Sequence, residues 1–353
     1  MTKEQLKKIL DSNILLLSSK VTNNENLSEF YLDETERGAN VLFAPDFNVC
    51  ESFEETLKKV VEVAGEVAFT TCCIPPIEGG LTLYGGVNTY NEYYDKILNA
   101  AKKCYDAGVS FLILGGFTNL TEAKCAVLAT KEACPLPICV GLAFNDEIML
   151  ENEIDPAKAI ITLQALEVNS VGVMGGTNAD DTLEVLSQMK EFATVPLFAL
   201  PTVSEFMTPE DYADYIAEYV GNKCTIAGTA NGGPAYTASV SKALWQIEPF
   251  KPDFHSISAV TGISGILFYD FKNQAISENK KMLEISIENE KEVEKIIEKL
   301  IEAKSPPVCF KSKDLDALEL AVKLYPGRPA VRSDEYGEIA AKEYGALVLP
   351  EGE

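Results

Sequence analysis

Between residues 13 and 248 the chain repeats one rhythm eight times: a short apolar run, a polar or glycine-rich break, then a helix-like stretch. The runs fall at residues 14–18, 40–45, 67–72, 111–116, 137–144, 170–176, 196–201 and 224–230. Eight such units are what a closed (β/α)8 TIM barrel of the α/β class requires. Runs such as VLFAP and FLILGG are apolar almost without interruption, as buried parallel strands are when both faces are covered. A barrel puts its chemistry at the C-terminal ends of its strands, so those positions are read first for function.

The intervening stretches carry the other period. Within 90–108, Ile97, Leu98, Ala101, Cys104 and Tyr105 form an apolar stripe that Asp106-Ala107-Gly108 terminates. Thr208 followed by Pro209 opens a helix as N-cap and first-turn proline, and Asn178 to Asp181 starts another.

Beyond Glu248 the character changes. Residues 1–250 are expected to form the barrel, 251–282 a linker and 283–353 a smaller α/β domain. The stretch 249–253 (PFKPD) at the boundary reads as a connector, while 257–269 is apolar and β-like and suits a seal between the two parts. The last stretch reads as strands at 283–287, 307–310, 328–332 and 346–349, with helices near 293–301, 315–324 and 336–344. So small an open sheet must cover its edges, against the first domain or another subunit.

Net charge is −24, which argues against nucleic acid and anionic membranes as partners. No apolar run approaches the ~20 residues of a membrane span, and MTKEQLKKIL lacks the apolar core of a signal peptide. A cytoplasmic, reducing location is expected. Nine cysteines without a CxxC spacing then make no disulfide framework. Cys72, Cys104, Cys125, Cys134, Cys139, Cys224 and Cys309 lie in apolar runs and read as small buried hydrophobes.

Three segments are more specific: TEAKCAVLATKEACPLPICV after the fourth strand, SVGVMGGTNADDTLEVL at the sixth, and CTIAGTANGGPAYTASV at the eighth, with its frame from Ile226 to Pro234. Their order and spacing resemble the homocysteine S-methyltransferase family, closest to the homocysteine barrel of the cobalamin-dependent methionine synthases. PPVCFKSKDLDALELAVKLYPGRPAVRS and AAKEYGALVL resemble part of a pterin-binding (methyltetrahydrofolate) barrel, which follows the homocysteine barrel in those enzymes.

The resemblance implies zinc held by three cysteines at the ends of strands six and eight, which lowers the thiol pKa of homocysteine. In this sequence those positions fall on Gly175, Thr229 and Ala230. Glycine and alanine supply no donor, and a neutral hydroxyl is a poor zinc ligand. An Asp-Gly pair ending strand one is replaced by Ser18-Ser19, and Glu-Thr ending strand four by Gly115-Gly116. In the pterin-like part an acidic position is Lys311 and an Asn position is Arg332. Zinc is therefore not expected, a complete folate site cannot form from this chain alone, and cobalamin binding is not carried over.

The barrel mouth is expected to gather Ser18, Asp46, Cys72, Gly115, Thr118, Asn145, Asp146, Met174, Gly175, Thr202, Thr229 and Ala230 around a small-molecule ligand. Cys72, Cys73 and Cys50 could form a relocated thiolate site, against the reading of two strand cysteines facing opposite ways. Asp46, Asn145 and Asp146 suit acid/base or ammonium contacts, or caps of the following helices. The turn 228–234 (GTANGGP) suits phosphate, or is a tight turn. The glycine pairs 115–116 and 175–176 either widen the mouth or record relaxed requirements. Lys20 and Lys311 have only their positions to suggest Schiff-base chemistry, and His255, the single histidine, sits in the linker. The expectation is a metabolite-binding or accessory barrel, with a corrinoid or methyltransferase protein as a candidate partner and homo-oligomerisation left open. The alternative is an active methyltransferase with another acceptor or a relocated metal.

Overall fold

The computed structural model describes residues 1–20, 26–47, 53–248, 257–270, 275–276 and 282–350. The connector expected at 249–253, His255 and Cys50 lie outside the described residues.

Each of the eight apolar runs supplies one strand: β1 (Leu15–Leu16), β2 (Val41–Phe43), β3 (Phe69–Ile74), β4 (Phe111–Phe117), β5 (Ile138–Leu142), β6 (Ser170–Met174), β7 (Leu197–Leu200) and β8 (Cys224–Ala227). They form one sheet in the order β1-β8-β7-β6-β5-β4-β3-β2, every pair parallel. An isolated parallel bridge from Leu17 to Val41 closes the ring. The fold is a TIM barrel.

Helix α1 (Lys3–Leu10) precedes the barrel. Helices α2 (Leu27–Glu36), α3 (Phe53–Ala64), α4 (Tyr90–Ala107), α5 (Leu120–Ala133), α6 (Pro156–Gln164), α7 (Ala179–Lys190), α8 (Pro209–Gly221) and α9 (Pro234–Leu244) follow the eight strands in turn. Their starts are chemically marked. Thr208 accepts from the Asp211 amide with Pro209 at the first turn, and Asn178 accepts from that of Asp181. Helix α4 begins with a capping box between Thr89 and Glu92 and ends at Gly108, whose φ of 91° suits glycine.

The stripe on α4 is shifted from the one expected. Tyr93, Ile97, Ala100, Ala101, Cys104 and Ala107 are buried, whereas Tyr105 is 44% exposed. Tyrosine scored as apolar in the sequence, but its position lies on the shoulder of the helix.

The seam between β1 and β2 is held mainly by side chains. Asn40 Oδ1 accepts from the Leu16 amide at 2.8 Å, and Ser18 Oγ accepts from the Phe43 amide at 2.9 Å. The barrel interior is filled by Leu15, Leu17, Phe43, Cys73, Met174, Phe198 and Leu200, among others. Leu6 and Leu10 of α1 join this cluster and stopper the end where the strands begin.

The β-like run expected at 257–269 forms strands. Strands β9 (Ala259–Gly262), β10 (Gly265–Asp270) and β11 (Ala275–Ile276) form an antiparallel meander. Strands β12 (Leu283–Ser286), β13 (Val308–Lys311), β14 (Ala330–Arg332) and β15 (Leu347–Leu349) follow as a parallel sheet in that order, connected by α10 (Val293–Glu302), α11 (Leu315–Leu324) and α12 (Glu335–Tyr344). One face of the sheet presents Cys309, Ala330, Leu347 and Leu349 to Val260 of β9. The meander covers that face, and Thr261 ties it to the barrel, its hydroxyl 3.0 Å from that of Thr162 on α6. Among the described residues no helix is long and apolar enough to cross a membrane.

Candidate functional site

The C-terminal ends of the barrel strands bring some of the expected residues together and spend others on the scaffold. At the end of β1, Ser18 is buried and fully engaged: besides accepting from Phe43, its hydroxyl donates to the Ser19 carbonyl at 2.9 Å. Its hydroxyl stitches the seam between β1 and β2. The next residues are anchored from behind. Glu34 Oε2 accepts from the Ser19 amide at 2.7 Å and from the Thr237 hydroxyl at 2.8 Å. Burial pushes the Glu34 carboxyl above its usual range, against those two hydrogen bonds.

Lys20 and Asp46 meet at the mouth, with Nζ 2.8 Å from Oδ1 and 2.9 Å from Oδ2. The ammonium also lies 4.5 Å from the centre of the Phe43 ring. Asp46 is therefore a charge partner for Lys20 across the ends of β1 and β2.

The adjacent cysteines of β3 face opposite sides, as strand geometry demands. Cys73 enters the barrel cluster. Cys72 points outward, its sulfur 3.3 Å from Cys104 on α4. Cys72 is thus removed from the mouth, and Cys73 takes its place. The Cys73 thiol is pushed well up, first by burial and then by the Asp46 charge, so it is held protonated.

Gly115 does not widen the mouth. A side chain there would sit 2.1 Å from Met174 Sδ and 3.1 Å from Cys73 Sγ. Met174, at the end of β6, occupies the space that Gly115 vacates. At Gly175 the situation is reversed. Its φ of 69° suits glycine, and nothing lies within 4 Å of where a Cβ would stand.

Around β4 and β5, Thr118 donates to Glu151 Oε1 at 3.0 Å, and Asn119 donates to Oε2 at 3.0 Å. The exposed Asn145 is consumed by its own turn, where its side-chain oxygen accepts from the Glu147 and Met149 amides. Asp146 is exposed on that turn. Asn145 thus organises a loop, where a cap of the following helix was the alternative to a ligand contact; Asp155 caps α6 instead.

The ends of β6, β7 and β8 are sewn together. The Gly175 amide donates to Leu200 O, that of Thr202 to Thr177 O, and that of Ala230 to Pro201 O. Asn231 brackets Val203 through both its amide and its carbonyl. The Thr229 hydroxyl accepts from the Gly232 amide, three residues on, at 2.9 Å, which fixes the glycine-rich loop. Sequence reading did not single out Glu151, Asn231 or Glu34. Their roles are set by contacts 15 to 203 residues away in the chain, which no local pattern reveals.

Among the described residues the mouth offers the Lys20–Asp46 ion pair, several hydroxyl and amide groups, and a protonated thiol. Among the described residues no group of three or more His, Cys, Asp or Glu is placed to hold a metal ion. The ends of β6 and β8 present Gly175, Thr229 and Ala230, which supply no anionic donor.

A sequence profile of homocysteine S-methyltransferases matches residues 11–244. No curated protein sequence matches the chain significantly. Among solved structures, the apo form of the homocysteine methyltransferase MmuM from Escherichia coli superposes with a TM-score of 0.54 at 16% identity, covering 66% of this chain and 96% of that one. Its metallated form gives 0.54 at 15% identity, with 67% and 99% covered. The oxidised form gives 0.51 at 15%, with 65% and 95% covered. At such identities the superpositions speak for the fold.

Proposed function

The chain belongs to the homocysteine S-methyltransferase family, and from that premise we propose that it keeps the family's barrel to bind a small metabolite, or to serve a corrinoid or methyltransferase protein as an accessory, without zinc-dependent methylation of a thiol. One observation carries this reading: the ends of β6 and β8 bear Gly175, Thr229 and Ala230, and the one hydroxyl among them is committed to Gly232. A zinc ion bound by thiolates would have supplied a deprotonated substrate thiol. A free thiol of pKa near ~8.5 is only a few per cent thiolate at neutral pH.

The filling of the mouth supports the same reading. Met174 lies where a side chain from position 115 would project, so the acidic contact that the family resemblance implies at the end of β4 has been replaced by a thioether. Lys20 and Asp46 give the mouth a paired charge suited to orienting a zwitterionic or polar ligand. The all-parallel order of β12 to β15, with a helix after each of the first three, supports a kinship of residues 283–353 with part of a pterin-binding barrel, joined to a 1–250 barrel through 251–282.

A second reading rests on Cys73 beside Asp46: an active methyltransferase with a relocated metal. Metal analysis of the purified full chain, with a homocysteine methylation assay in added zinc, separates the two. The expected result is zinc well below one per chain and no turnover. Stoichiometric zinc that disappears in Cys73→Ser would favour the relocated site. Stoichiometric zinc that survives that change would sink both readings.

A further inference from the structure

The four-stranded sheet ends in a cavity that the barrel does not use. Basic side chains reach it from two strand ends: Lys311 closes β13, Lys313 follows, and Arg332 closes β14. With Ser286, Ser312 and Asp334 they line about 560 Å³, a volume typical of small-metabolite sites. In open parallel sheets, ligands bind outside the carboxyl ends of the strands, where this cavity lies. Two ten-residue helices, α11 and α12, begin at this end, their first amides capped by Asp314 and Asp334.

The charges are arranged to leave donors free. Glu284 holds Lys311 at 2.7 Å and also pairs with Arg332. Arg332 spends Nε and Nη2 on Glu284 and Nη1 on the Pro350 carbonyl, three of the five N–H groups of a guanidinium. Among the described residues Lys311 commits one of its three N–H groups, to Glu284. Lys313 has no ion-pair partner among the described residues. Lys311, Lys313 and Arg332 bring three cations to one cavity in a chain of net charge −24.

We propose that this cavity is an anion site for a phosphorylated small molecule, held by Lys313, Arg332 and Lys311. The donors come from separate chain segments around an open volume. A tetrahedral phosphate accepts from several directions, whereas a planar carboxylate is matched by one fork. Glu284 keeps two of the cations in place without neutralising all their donors. This site is independent of the zinc reading of the barrel.

Calorimetric titration of the full chain with phenyl phosphate, inorganic phosphate and citrate tests it. Phenyl phosphate should bind saturably, more tightly than either other anion and more weakly as salt rises. The exposed substitution Lys313→Glu should weaken binding by about tenfold or more, the loss of a charge-assisted hydrogen bond. Lys20→Met, at the barrel mouth, should leave binding unchanged. Absence of saturable binding, binding indifferent to Lys313→Glu, loss of binding in Lys20→Met, or tighter binding of citrate would each overturn the proposal.

Discussion

Lys124 on α5 donates a hydrogen bond to the carbonyl of Tyr325 at 2.6 Å, joining the barrel to the residue that ends α11. The same ammonium donates to the carbonyls of Val322 at 2.8 Å and Gly327 at 2.9 Å. Its three N–H groups are thereby matched to three carbonyls, two of them at the negative end of α11. Neighbouring residues complete the wiring. The Glu122 carboxylate accepts from the Leu81 amide at 2.9 Å and the Tyr93 hydroxyl at 3.2 Å, and Thr121 meets Tyr84 at 2.6 Å. The TEAK stretch, the most distinctive in the sequence, is thus a junction between the barrel and what packs on it.

Replacing Lys124 by Met should destabilise the chain by ~3 kcal/mol or more, because three buried carbonyls lose their donor. The loss should also depend on pH. Burial pushes Lys124 down to about 7, while an unfolded lysine stays protonated to about 10.4. Between those values the unfolded chain holds the extra proton, so the stability linked to this group rises with pH; below about 7 it is flat. Urea unfolding at pH 7 and pH 9.5 should therefore give a larger wild-type advantage over Lys124→Met at the higher pH. A constant difference would contradict the linkage.

The substitution Gly115→Ala should cost about 1–3 kcal/mol, the usual penalty for overfilling a packed interior. Met174 is the group that must move, since its sulfur lies 2.1 Å from the new methyl. Shortening it in the double variant Gly115→Ala, Met174→Ala should recover part of the loss, giving a total smaller than the sum. Additive losses in thermal unfolding would mean that the two do not share space.

Ser18→Ala should cost about 1–3 kcal/mol by leaving the buried Phe43 amide without its acceptor. Hydrogen exchange at Phe43 should accelerate more than that of Leu112 in the middle of the barrel wall. Unchanged exchange at Phe43 would return Ser18 to the pool of ligand contacts.

Native alkylation should spare eight cysteines. Cys72, Cys73, Cys104, Cys125, Cys134, Cys139, Cys224 and Cys309 are buried free thiols. Burial pushes Cys125 and Cys224 up to about 12 and Cys309 to about 11, so little thiolate forms at neutral pH. Iodoacetamide followed by mass spectrometry should label these eight only after denaturation. Rapid native labelling of Cys73 would point to an open, reactive barrel mouth.

The apolar runs announced every barrel strand because parallel strands are buried on both faces and need no alternation to be seen. In the C-terminal part β13 is buried in the same way, and α10 shows itself by the helical spacing of buried Val293, Ile297 and Leu300. The side on which a residue falls was less legible. Cys72 and Cys73 are chemically identical in the sequence, and only the register of β3 against β4 (Cys72 with Leu112, Cys73 with Ile113) decides which one faces inward. Helix α5 hid its role differently. Leu120 through Thr130 are all buried, so polar Thr121, Glu122 and Lys124 look like a surface stripe while serving as internal contacts. Their partners, from Leu81 to Gly327, lie 29 to 203 residues away. Ser18 and Asn40 were similarly silent, because side chains that replace a backbone ladder leave no periodic trace.

With covering on every side, α5 behaves as a party wall. The barrel leans on it from within and α11 from without, and neither tenant owns a weatherproof side. A fragment ending at residue 248 would bare Lys124 together with the apolar flank around it, so the two halves of this protein are committed to being made and kept as one piece.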